Sequence, residues 1–271
     1  MNNLTPFSGN SQHYFDNIST AKKEPTRSTL TFIRARIHAS YSHYNANTSN
    51  FSNISALIWT SAEKAALIDC YSTRTNELGK LKVDIREHHR TSNAAIAARC
   101  PYCGINVGNT FDHYLSKSVF PEYAVCSLNL IPCCNECNLL KGGSIWNSSG
   151  VRQVLNLLYD PLPTTQFLIA TPTVAPTSVK FSLSSNISLY GGLYQEITAH
   201  FDKLNLLQRF EEVSADEYSE LKPLILSQGV SSAQSLAATR AKSLRAVLGH
   251  NNWKAVLYDS LANSPSFLRS L

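Results

Sequence analysis

Two Cys-x-x-C pairs, Cys100-Pro-Tyr-Cys103-Gly and Cys134-Asn-Glu-Cys137, separated by thirty residues, constrain this chain more than any other feature. Two thiolates two residues apart can reach one tetrahedral ion, and a Gly after the second lets the backbone turn around it. Two such pairs point to a four-cysteine zinc site whose positions are all filled by protein. An ion held that way staples a small fold and leaves no open position for chemistry. Other readings stand beside this one: inert buried thiols, a redox dithiol, or Cys133 as ligand in place of its neighbour Cys134, although the Cys-x-x-C register favours Cys134. Cys70 and Cys126 read as small core residues. Seven cysteines are an odd number, awkward for a disulfide scaffold and natural for reduced thiols.

Around this cysteine-rich stretch the apolar spacing is mainly helical. Residues 1–28, rich in Asn, Ser and Thr, read as a flexible polar arm with room for one short helix. Thr60 and Glu63 have the spacing of a capping box, opening a helix over 61–78 that stops at Gly79; a second helix over 80–98 leads to Cys100. The runs 167–174, 178–183 and 194–200 read as strands of a small antiparallel sheet. Ser214 and Glu217 have capping-box spacing, 231–248 reads as a helix ending at Gly249, and Asn252 caps a last helix through Leu261.

Composition permits several partners and excludes few. A net charge of +5 suits a polyanion without demanding one. No apolar run is long enough to cross a bilayer, and Met1 to Pro25 lack a basic start followed by an apolar core. The expectation is a cytoplasmic protein with no membrane association.

Between the cysteine pairs lie Phe111-Asp112-His113-Tyr114, then Ser116-Lys117, then Asn129, and Cys137 is followed by Asn138-Leu139-Leu140-Lys141. This order resembles the HNH nuclease family, the ββα-metal finger: an Asp-His pair, a downstream Asn, then Cys-x-x-Cys-Asn with a Lys shortly after. The resemblance covers 100–143. It implies an α+β fold, a mostly helical body carrying a zinc-stapled ββα-metal finger and a small antiparallel β element. The corresponding divisions are the arm at 1–28, a helical region at 29–98, the finger at 99–147 and a mixed β/helical region at 148–271. By the same resemblance His113 is the general base, Asp112 and Asn138 hold one Mg²⁺ or Mn²⁺, Asn129 fixes the loop and orients His113, and Lys117 and Lys141 contact phosphate. A His can take a proton from water near neutral pH, and a hard cation prefers oxygen ligands and keeps several waters. Asp112 and His113 are adjacent, so a regular strand would aim them to opposite faces. A helix beginning near Asn135 would turn Cys137 to the zinc and Asn138 to the second metal. The chain departs from many relatives at Ser116, where they have Pro, and at Asn138, where the family-naming His stands.

The implied activity is endonucleolytic hydrolysis of DNA, with RNA left open. The wider resemblance is to nuclease subunits of prokaryotic anti-phage systems, Septu-type or retron-linked, which implies an ATPase partner subunit. A zinc-stabilised binding module without catalysis, or a toxin, are the other classes. His88-His89-Arg90 reads as a solvated helix face, His200 and His250 as hydrogen-bonded structural histidines, and Trp59, Trp146 and Trp253 as core or interface anchors. Lys22, Lys23, Arg27, Arg34 and Arg36 are candidates for an electrostatic footprint.

Overall fold

A computed structural model describes residues 2–143, 147–148 and 150–271. Trp146 lies outside the described residues. The fold is α+β, mainly helical with small antiparallel sheets. In chain order the elements are α1 (Ser11–Thr20), α2 (Thr26–Ala46), α3 (Ser61–Ser72), α4 (Asn76–Ser92), α5 (Ala94–Ala97), β1 (Thr110–His113), β2 (Leu130–Cys133), α6 (Asn135–Lys141), β3 (Asn147–Ser148), β4 (Val151–Arg152), β5 (Leu168–Thr173), β6 (Ser178–Leu183), α7 (Tyr194–Lys203), α8 (Leu206–Ser219), α9 (Lys222–Gln228), α10 (Val230–Leu248), α11 (Trp253–Ala262) and α12 (Pro265–Ser270). The strands pair as β1–β2, β3–β4 and β5–β6.

The N-terminal helices form by helical spacing of apolar residues. On α2, Leu30, Ile33, Ile37, Tyr41 and Tyr44 are buried along one face. Residues 1–28 are not a flexible arm: Asn10 caps α1, and Phe15 and Ile18 are fully buried. The aromatic and aliphatic residues scattered among the Asn and Ser are what dock this segment. Lys22, expected on a charged surface, is buried instead, and its ammonium donates to the Asp69 carbonyl at 2.6 Å while pairing with the Asp69 carboxylate at 3.0 Å. Arg34 is held by Asp16, Arg27 by Glu24, and Arg36 lies over the Trp59 ring.

The Thr60–Glu63 capping box is present, but α3 ends at Ser72. Thr75 caps α4 by accepting from the Leu78 N–H, so a break falls at 73–75, inside the segment read as one helix. Gly79 lies within α4 and stops nothing.

In the C-terminal part the strands at 168–173 and 178–183 pair in one register. Residues 194–203 form α7 instead of a strand, burying Ile197, His200 and Phe201 at spacings of three and four. Ser214 is not an N-cap; it lies inside α8, where its hydroxyl donates to the Glu211 carbonyl. Ala233, Ala237 and Ala241 form the buried stripe of α10 at intervals of four, small enough to let α11 pack closely. Gly249 ends α10 at φ +81°, a backbone conformation that favours glycine, and Asn252 caps α11. No described helix is long and apolar enough to cross a membrane.

Candidate metal centre and adjoining pocket

The sulfurs of Cys100, Cys103, Cys134 and Cys137 all lie within 4.8 Å of one another, and all four residues are buried. A tetrahedral zinc with Zn–S bonds of about 2.3 Å places its sulfurs about 3.8 Å apart; Cys103 Sγ and Cys134 Sγ are 3.9 Å apart. The donor set therefore fits a zinc ion. Cys133, in β2 and fully buried, lies outside this cluster, as do Cys70 and Cys126 in the core.

Local structure explains why the four converge. Gly104, at φ +68°, closes the first turn, with its N–H donating to the Cys100 carbonyl at 2.7 Å. Cys134 caps α6, accepting at its sulfur from the Cys137 N–H. The Ile105 N–H donates to Cys103 Sγ, and Arg209, buried on α8, donates from Nη1 to Cys137 Sγ at 3.4 Å. Hydrogen bonding among the crowded sulfurs, from Cys100 above all, pulls Cys134 down and Cys103 down to about 7, and holds Cys137 up.

The β1–β2 hairpin and α6 carry the second cluster. Asp112 pairs with Ile131 and His113 with Leu130 across the hairpin. An open cavity of about 360 Å³ is lined by Asp112, His113, Lys117, Asn138 and Tyr71, among others. The end of a short strand lets both Asp112 and His113 reach one cavity despite their adjacency. On α6, Cys137 joins the sulfur cluster while Asn138 lines the cavity, the division expected from neighbouring helix positions.

His113 Nε2 lies 2.9 Å from the Ala124 carbonyl. A carbonyl only accepts, so Nε2 carries the proton and Nδ1 keeps its lone pair. Burial, and then the charge of Lys117, push the His113 pKa down to about 3, so the ring is neutral. The Tyr71 ring meets it edge-on, with centroids 4.3 Å apart and planes at 75°.

Asn129, fully buried, makes no hydrogen bond to His113. It accepts from the Leu115 N–H at 2.7 Å and donates to the carbonyls of Leu115 and Tyr123 at 2.9 and 3.2 Å. It thus ties the segment after β1 to the turn before β2.

Lys141 differs most from expectation. It is 4% exposed, and its ammonium donates to Asp112 Oδ1 at 2.8 Å and to the His113 carbonyl at 2.7 Å. It joins α6 to β1 and does not reach out toward a phosphate. Tyr102, between the first two cysteines, donates to Asp112 Oδ2 at 2.8 Å. Lys117 is at the cavity, its ammonium 4.8 Å from the Tyr71 ring centroid. Among the described residues the Asn138 side chain has no hydrogen-bond partner.

Tyr71 and Arg209 escape a sequence reading because each acts across a long separation, and Tyr102 because no local pattern marks its bond to Asp112. His200 is a buried structural histidine, accepting from the Leu155 N–H and bonded to the Tyr102 carbonyl. His250 is exposed, and among the described residues its side chain lacks the hydrogen bond expected of it. His89 is buried, not solvated, and Trp253 is in the core stacked on Phe210. Trp59 is partly buried and donates to Glu122.

No family model matches the chain, and no solved structure matches it. Over 191 residues it is 26% identical to Protein ea31 of Escherichia phage lambda. That match takes in 64% of this chain and 64% of the phage protein, so the chain spans less than two thirds of the curated relative it resembles.

Proposed function

We propose that this chain is a metal-dependent endonuclease of the HNH type that hydrolyses phosphodiester bonds in DNA. The observation that carries the reading is the convergence of Asp112, His113, Lys117 and Asn138 on one open cavity beside a closed cluster of four cysteines. A pure binding knuckle requires none of those four side chains.

His113 is the base. The Ala124 carbonyl fixes its tautomer and leaves Nδ1 free to take a proton from water. The depressed pKa belongs to the pocket without substrate; the negative charge of a phosphodiester favours the imidazolium and raises the basicity of the ring. Asp112 and Asn138 supply oxygen donors suited to Mg²⁺ or Mn²⁺. Each Asp112 oxygen accepts one hydrogen bond of the two it can take, and the Asn138 amide has no described partner. A divalent cation bound there would polarise the phosphoryl group and stabilise the leaving oxygen. Lys117 supplies positive charge at the cavity for the phosphate. Asn129 holds the loop that carries the Ala124 carbonyl through its bond to Tyr123.

A second reading, a zinc-stabilised binding module without catalysis, is favoured by one observation. Both Asp112 oxygens already have partners, Lys141 and Tyr102, and the Lys141 ammonium competes with a divalent cation for the carboxylate. Resemblance extends the nuclease proposal to an effector role in prokaryotic anti-phage defence, with an ATPase partner.

Plasmid cleavage by the zinc-loaded protein in Mg²⁺ or Mn²⁺ decides between them. Nicking or linearisation that disappears in His113→Ala, with zinc content and circular dichroism unchanged, supports the nuclease. No cleavage by folded, zinc-loaded protein, alone or with its cellular partners, supports the binding module.

A further inference from the structure

α4 carries a second pattern beside its buried stripe. Leu78, Leu81, Ile85 and His89 face the core, while Lys82, Arg86 and Arg90 recur at intervals of four, which stacks them in one row on the helix. At 1.5 Å per residue that row is about 12 Å long.

Two contacts register the row against the pocket. The Lys82 ammonium lies 4.0 Å from the centroid of the Tyr71 ring, which in turn touches His113. The Arg86 guanidinium lies 4.5 Å from the centroid of the Phe111 ring on β1 and donates to the Asn109 carbonyl at 3.3 Å. Lys117 meets the same Tyr71 ring from the pocket. Away from the pocket, Arg86 and Arg90 join Arg99 around a cleft of about 340 Å³ beside Pro101 and Pro132.

These charges lack counter-ions. Among the described residues, Lys82, Arg86, Arg99 and Lys117 form no ion pair with a carboxylate, and Arg90 pairs only with Glu87 at the exposed surface, where such a pair is weak. Elsewhere some cations are paired, Arg34 with Asp16, Lys80 with Asp84 and Lys180 with Glu211, and others, Lys23, Lys64 and Lys222 among them, form no ion pair among the described residues but are not gathered in a row beside the pocket. Burial, and then repulsion from Arg86, Lys117 and Arg74, hold the Lys82 pKa below the usual lysine value, as expected where cations crowd together.

We infer that the Lys82–Arg86–Arg90 row, with Lys117 at the cavity, docks the phosphodiester backbone of DNA and leads one strand past Tyr71 toward His113. One strand of a duplex presents a phosphate every 3.4 Å or so along its axis, so a row of about 12 Å spans three to four of them. The destination of the strand rests on the nuclease reading; the docking does not.

The test measures anisotropy of a short fluorescein-labelled DNA duplex with the full, zinc-loaded chain across a range of salt, without added Mg²⁺. The comparison is Lys82→Gln/Arg86→Gln/Arg90→Gln against a control triple, Lys23→Gln/Lys64→Gln/Lys222→Gln, whose lysines are exposed elsewhere. Three lost phosphate contacts lower the slope of log K against log salt by roughly 2–3 and weaken binding about tenfold or more near physiological salt. The control triple keeps wild-type binding. Wild-type slope and affinity in a folded α4 triple overturn the inference, as does displacement of the duplex by polyglutamate as readily as by unlabelled DNA, or a tenfold preference for an RNA duplex. A slope change without any cleavage leaves the docking intact and removes the nuclease; cleavage without a slope change does the reverse.

Discussion

The sulfur cluster and the cavity beside it are built on the same seven-residue helix, α6, yet they are opposite kinds of site. Cys137 and Asn138 are neighbours, one buried among four soft donors and one beside hard oxygen and nitrogen donors at an open mouth. The first has no room for water and suits an ion that holds structure. Among the described residues the second keeps an amide without a hydrogen-bond partner, a ring nitrogen with its lone pair and a lysine without a counter-ion, which are groups a fold has no structural need to leave unpaired. The difference teaches that one short helix can serve a closed cluster fit for a structural ion and an open polar cavity at once, because neighbouring helix positions face different ways.

Breaking the closed site should have the largest effect. Cys137→Ser removes one of four ligands, and structural zinc contributes about 10 kcal/mol or more to folding in comparable small sites. The variant is expected to lose its zinc, read by metal analysis, and its cooperative thermal transition. Asn138→Ala, one residue on, should keep one zinc per chain and a melting temperature near wild type, since it is only partly buried and its side chain has no hydrogen-bond partner among the described residues. Equal losses in the two variants would erase the distinction between the sites.

Asn129→Ala comes next. It leaves the Leu115 N–H and the Leu115 and Tyr123 carbonyls without their buried partner, a loss of roughly 3–4 kcal/mol at one or more kcal/mol per orphaned group. Urea titration should show this at unchanged zinc content. An effect near zero would mean that the loop is held by something other than Asn129.

Away from both sites, His200 sharpens the contrast with His113, since it is buried and used only for structure. Burial pushes its pKa from 6.5 to about 4. The unfolded chain therefore binds the extra proton first, and the contribution of neutral His200 is complete above pH 6.5 and lost as pH falls toward 4. The size is about 3 kcal/mol. In His200→Gln the dependence of unfolding free energy on pH over this window should be correspondingly shallower; an unaltered slope removes His200 from the acid response.

The smallest expected effect concerns the positive charge next to the sulfurs. Arg209 donates to Cys137 Sγ and pairs with Glu136 at 2.6 Å. Arg209→Met should weaken zinc binding by roughly 10–100-fold in competition with a chelator, the usual penalty for removing an outer partner of a metal site. No change would show that the closed site needs only its four thiolates.

Much of the site was legible because its residues lie close together in the chain and in a fixed order. The Cys-x-x-C register selected Cys134 over Cys133, and the helix expected near Asn135 starts there. The Thr60–Glu63 cap, the hairpin at 168–183 and the stop at Gly249 were local signals that survived folding. The errors arose where tertiary contacts override composition. Polar residues 1–28 suggested disorder, yet Phe15 and Ile18 dock into the core. Residues 194–200 offered β-branched and aromatic residues, yet their spacing also makes one buried helical face.

By itself the sequence determined the two cysteine pairs, the order of Asp112, His113, Asn129 and Asn138 between and after them, and the helical periodicity of the body. Only the tertiary structure decided that Lys141 turns inward to Asp112, that Tyr71 and Tyr102 reach the Asp-His pair from outside its strand, and that the cations of α4 stand beside the pocket. Spacing along a chain fixes which neighbours can share an ion or a helix face. Which distant charge finds which carboxylate depends on the packing of whole helices, and no local pattern encodes that.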